Sequence, residues 1–123
     1  MSFLKKLFKR DEPEEDDGTP IVLDSATVAP RLLRLEKALD AVAAEMRRDQ
    51  SMDNPGWRGR VNEYSQLAGE CMQLRRGDTI TREGVLDVVF AVRPVFSGQI
   101  PAGLEGIGPL QDAMMAAAED LRA

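Results

Sequence analysis

An all-α fold is predicted: a compact antiparallel bundle of about four helices with an irregular Gly/Pro loop, preceded by a short amphipathic basic segment and an acidic linker. Three observations predict it. Apolar residues recur in steps of three and four along several stretches, which is the period of one helix face. Asn, Thr, Pro and Gly stand where such stretches would start and stop. A chain of 123 residues that is 43% hydrophobic can close one packed core.

The first helix is expected over about residues 30–48, with Pro30 in its first turn. Leu32, Leu35, Leu39, Val42 and Met46 form its apolar seam, and Arg47 and Arg48 suit its negative C-terminal end. Asn54-Pro55 reads as an N-cap followed by proline at the first helical position. The second helix then buries Val61, Tyr64, Leu67, Ala68, Cys71 and Leu74, and Gly77 ends it as a residue free to take positive φ.

Thr81 caps a third helix in which Val85, Leu86, Val88, Val89, Phe90 and Val92 cover most of the circumference. A helix apolar nearly all round belongs at the centre of a bundle. The density of β-branched residues keeps a buried strand over 85–93 as the alternative, which Gly84 and Asp87 argue against. Pro94 stops the element. Residues 97–109 are rich in Gly and Pro and read as a loop that packs through Ile100, Leu104 and Ile107. Pro109 opens the last helix, with Leu110, Ala113, Met114, Ala117 and Leu121 on its face.

The charges divide the chain into a basic amphipathic head at 1–10, an acidic disordered linker at 11–23 and a helical domain at 24–123. The head carries Lys5, Lys6, Lys9 and Arg10 without an acid, and the linker carries Asp11, Glu12, Glu14, Glu15, Asp16 and Asp17 without a base. At about 100° per residue, Phe3, Leu4, Leu7 and Phe8 fill one arc of the head and the four bases fill the opposite arc. That is the pattern of an interfacial helix on an anionic membrane surface. Docking in a groove of another protein obeys the same physics, and an idle tail is the plain alternative. The acidic run reads as a solvating linker, or as a screen that folds back on the head.

A second candidate is a cluster of Arg47, Arg48, Trp57, Arg58 and Arg60, which antiparallel first and second helices would gather at one end. Cations beside an aromatic ring suit phosphates, acidic peptides or nucleic acid. Helix-end charge compensation and a tryptophan lid over the core explain the same residues structurally.

Histidine is absent, so the usual general base and the commonest metal ligand are missing. The lone cysteine, Cys71, falls on an apolar face and reads as a buried structural thiol. Gly103-Leu-Glu-Gly-Ile-Gly lacks the preceding strand and the Lys-Ser/Thr of a phosphate loop. No catalytic residue, metal site or cofactor is assigned. No apolar run reaches the roughly 20 residues of a membrane span, and no secretory or lipidation signal is present, so a cytoplasmic location is expected, peripheral on the inner face of the membrane. A formal net charge of -5 argues against nucleic acid as a partner.

The expected function is a small non-catalytic helical adaptor, associated with the cytoplasmic membrane face through Phe3, Leu4, Lys5, Lys6, Leu7, Phe8, Lys9 and Arg10, that binds another protein. The alternative is a soluble helical regulator that binds protein or nucleic acid through the Arg/Trp cluster, with the head idle.

Overall fold

The computed structural model describes residues 20–122. Four α-helices follow one another: α1 (Ser25–Arg47), α2 (Pro55–Arg76), α3 (Arg82–Ala91) and α4 (Ile107–Arg122). A 3₁₀ turn, Gln50–Asp53, joins the first two. The stretch left open between helix and strand is helical, as α3.

α1 is the organising helix. It packs along both α2 and α4, and Leu32, Leu35, Leu39, Val42, Ala43 and Met46 on it are fully buried or nearly so. The ion pair of Arg75 Nε with Glu36 Oε1 at 2.7 Å and the bond from Trp57 Nε1 to the Met46 carbonyl at 3.0 Å fix α2 antiparallel to α1. The ion pair between Arg34 and Asp120 ties the start of α1 to the end of α4, and Gly106 lies beside Glu45 near the other end, so α4 is antiparallel to α1 as well. No side chain of a charged or strongly polar residue is buried among the described residues.

The helix ends follow local chemistry. Asn54 Oδ1 accepts from the amides of Gly56 and Trp57 and starts α2. Thr81 Oγ1 accepts from the Gly84 amide and starts α3. At Gly84 a Cβ would sit 2.9 Å from Leu74 Cδ2, so the missing side chain lets the first turn of α3 approach the end of α2.

Several expectations need correction. α1 begins at Ser25 rather than near residue 30, with Pro30 inside it. The donor that Pro30 lacks leaves the Ala26 carbonyl without its helical partner, and Ala26 is exposed, so water can serve that carbonyl. Gly77 does end α2, but in extended backbone at φ -74° and ψ 166°, not in the left-handed region. α4 begins at Ile107, two residues before Pro109, and on its face Ala113 is exposed while Ala118 is buried.

The largest correction concerns α3, which is not central. It packs between α2 and α4 and makes no close backbone approach to α1. Val85, Val88, Val89 and Val92 are buried, a stripe at spacing i, i+3, i+4, i+7. Leu86 is half-buried and Phe90 is exposed, so a second apolar strip faces outward.

The end of the segment read as linker touches the domain. Leu23 donates its amide to the Ile80 carbonyl at 2.8 Å, and Arg82 donates its amide to the Ile21 carbonyl at 2.8 Å. This antiparallel bridge centres on Val22 and Thr81, and Leu23 packs on the core.

Candidate functional site

Of the two sequence-derived sites, the head residues Phe3, Leu4, Lys5, Lys6, Leu7, Phe8, Lys9 and Arg10 lie outside the described residues. The Arg/Trp residues are described, and the antiparallel pairing of α1 and α2 does bring them to one end. Their polar atoms are engaged within the domain. Trp57 is half-buried, donates to Met46 as above, and sets its ring 6.2 Å from that of Phe96. Arg47 donates to Ser65 Oγ at 2.6 Å, and Arg58 donates to the Met52 carbonyl at 3.1 Å. Arg48 pairs with Glu45 at 3.1 Å and keeps 78% of its side chain exposed. Asp49, between the two arginine pairs, accepts from Ser51, and these bonds hold its carboxyl below the usual range, so it stays charged and offsets part of the positive field.

Arg60 holds the loop between α3 and α4. Its guanidinium donates to the carbonyls of Pro94 at 3.1 Å and Val95 at 3.4 Å, and the neighbouring Tyr64 hydroxyl donates to the Arg93 carbonyl at 2.6 Å. One helical turn of α2 thus serves three successive carbonyls. Gln111 of α4 completes the hold: its Oε1 accepts from the Phe96 amide at 2.9 Å and its Nε2 donates to the Phe96 carbonyl at 3.1 Å. A side-chain amide here does the work of a neighbouring strand. Trp57 and Arg60 therefore fit packing and loop-holding.

Tyr64 is fully buried, and that burial raises its phenol pKa. Cys71 is also fully buried; burial first, then the nearby Glu36 and Glu70 carboxylates, push its thiol up to about 12. A thiol so held is protonated at neutral pH and is a poor nucleophile. In the Gly-rich loop Gly103 takes φ +92°, the one left-handed glycine among the described residues, and its amide donates to Glu105 Oε1 at 2.9 Å. That loop is a turn built on its own side chains.

A site that sequence reasoning missed lies on the outer side of α3. Ile21, Val22 and Phe90 are the exposed large apolar residues among those described, at 58%, 59% and 66%. Ile21 and Phe90 line one open groove of about 620 Å³ with Pro20, Leu86, Glu83 and Asp87. A narrower depression of about 290 Å³ continues it past Ile21, Arg82 and Leu86 to Val28, Arg31 and Leu121. Arg122 lies over the Phe90 ring at 5.4 Å, and Arg31 donates to the Asp120 carbonyl at 3.4 Å. Arg82 makes no ion pair among the described residues. The signal for this groove was present in the sequence as Leu86 and Phe90, one turn apart on the side of α3 away from its valine stripe.

No described helix is long and apolar enough to cross a membrane, and no cluster of potential metal ligands occurs among the described residues. Comparison with protein-family models, curated proteins and solved structures finds no match to this chain.

Proposed function

We propose that the protein is a small non-catalytic helical adaptor that sits at an anionic, cytoplasmic membrane face through residues 1–10 and presents its bundle to another protein. The observation that carries this reading is the junction between the head and the domain. Among the described residues, the core closes on side chains between Leu23 and Leu121. The chain enters that domain at a fixed point, where Ile21 and Leu23 pair with Arg82 and Ile80. Phe3, Leu4, Leu7 and Phe8 form the apolar arc of the head that this reading sets against the lipid.

Four bases near an anionic leaflet contribute about 1 kcal/mol each, an attraction that salt screens. A fusion of residues 1–10 to an inert carrier should co-sediment with anionic vesicles and not with zwitterionic ones. Binding should fall steeply between 0.1 M and 1 M salt, where the Debye length shrinks from about 10 Å to about 3 Å. Phe3→Ser with Phe8→Ser should abolish it. A head that ignores fully anionic vesicles at low salt refutes the membrane reading.

A further inference from the structure

We infer that the groove on the outer side of α3 is the resting berth of the chain's own residues 1–10, which lay Phe3, Leu4, Leu7 and Phe8 against Leu86, Phe90 and Ile21. Lipid and groove then compete for one apolar face. The berth itself stands on the geometry below. The competition rests on the membrane reading.

Three observations select this occupant. The first is continuity. Pro20 and Ile21 line the groove themselves, so the preceding chain starts from its edge. The second is length. A ten-residue helix is about 15 Å long, which matches the ten residues of α3. The residues between head and groove, 11–19, can span about 30 Å when extended. That is enough for the chain to reverse and lie along α3, and so short a tether holds the head at an effective concentration in the millimolar range.

The third is the order of charges. Arg82 stands where the chain enters, with Arg31 in the adjoining depression, and the acidic run 11–17 is the stretch that would pass them. Glu83 adjoins Arg82 in the same groove, and one turn farther along α3 Asp87 stands between Leu86 and Phe90, where Lys5, Lys6, Lys9 and Arg10 would arrive. The acid-then-base order read backward from Pro20 thus meets Arg82 and then Asp87 on the domain, with Arg122 over the Phe90 ring the base that the head must pass. A second copy would offer the same chemistry without the tether.

The full chain can test this with a nitroxide on Ser2→Cys in a Cys71→Ala background. The berth predicts that amide signals of Arg82–Ala91 lose more than half their intensity relative to those of Gly56–Tyr64. The loss should be unchanged on tenfold dilution and restored by Phe3→Ser with Phe8→Ser. Broadening spread evenly over the domain overturns the inference. Broadening that disappears on dilution also overturns it, since the occupied groove then belongs to a second copy.

Vesicle binding by the full chain supplies the second arm. Phe90 is exposed, so Phe90→Ser leaves the core intact. If nine-tenths of the heads rest in the groove, freeing them tightens binding to anionic vesicles about tenfold. Equal or weaker binding by Phe90→Ser overturns the competition. If no variant and no isolated head binds vesicles while the nitroxide still marks α3, the membrane reading fails and the berth stands.

Discussion

Removing one oxygen atom tests how the domain holds its irregular loop. Tyr64→Phe deletes the hydroxyl that donates to the Arg93 carbonyl at 2.6 Å and leaves the ring in its fully buried place. A net intramolecular hydrogen bond contributes about 1 kcal/mol. For a domain of this size that corresponds to a fall in melting temperature of about 5 °C. The proton adds a second reading. Burial raises the Tyr64 pKa above its ordinary value of 10.0. In the unfolded chain the phenol ionises near 10, while in the fold it keeps its proton to higher pH. The unfolded state therefore binds fewer protons in that window, and the Tyr64 contribution is present below pH 10 and lost as pH rises toward the folded value. Circular dichroism melts at pH 7 and pH 10.5 should show wild type and Tyr64→Phe converging at the higher pH. Because the chain has one tyrosine, phenolate absorbance titrates it directly. A native midpoint at or below 10, or an unchanged melting temperature at pH 7, would refute the assignment of Tyr64 as a buried donor that holds the loop.

Two further outcomes follow from the same packing. Cys71, with a thiol raised from 9.0 to about 12, should react with an aromatic disulfide reagent at pH 8 only as fast as the domain opens. Stability should decline by at most about 1.4 kcal/mol per pH unit above about 9 as the unfolded thiol ionises, and Cys71→Ala should remove that part of the slope. Truncation before Pro20 should leave the domain folded but lower its stability by about 1.4 kcal/mol, the amount that a head resting nine-tenths of the time in the α3 groove contributes. Truncation before Asp24 removes the two bonds of the Val22–Thr81 bridge and the packing of Leu23. The second cut should cost about 2–3 kcal/mol more than the first, which paired denaturant titrations would resolve.

The parts of this fold legible in the sequence were those written in local chemistry. The seam Leu32–Met46 is periodic, and its five named residues are all fully buried. Asn54 and Thr81 cap the helices they precede because their oxygens reach amides only two or three residues away. What was not legible depends on distant partners. Arg60 looks like a free cation until the carbonyls of Pro94 and Val95 are brought to it from 34 and 35 residues away. The position of α3 was misjudged for a related reason. Hydrophobicity around a helix counts apolar surface, and it does not distinguish a side chain packed in the core from one that faces an outer groove. Val89 and Phe90 are neighbours in sequence, yet one is 4% exposed and the other 66%. Pro30 misled because proline is so often the first residue of a helix; here the extra turn before it costs only one bond, at an exposed carbonyl that water can reach.

The bridge at Val22 and Thr81 also decides how the domain bears load. Tension applied at Pro20 reaches the bundle first through two hydrogen bonds, Leu23 to Ile80 and Arg82 to Ile21, before it reaches the first turn of α1. Two bonds are a weak joint beside an interface as long as that between α1 and α2. Under a steady pull the joint parts first and pays out a few residues of chain while the core remains closed. The link is in effect a mechanical fuse where the chain joins the bundle. It lies beside Thr81, the cap of α3, so its parting would be felt first by the helix that carries Phe90.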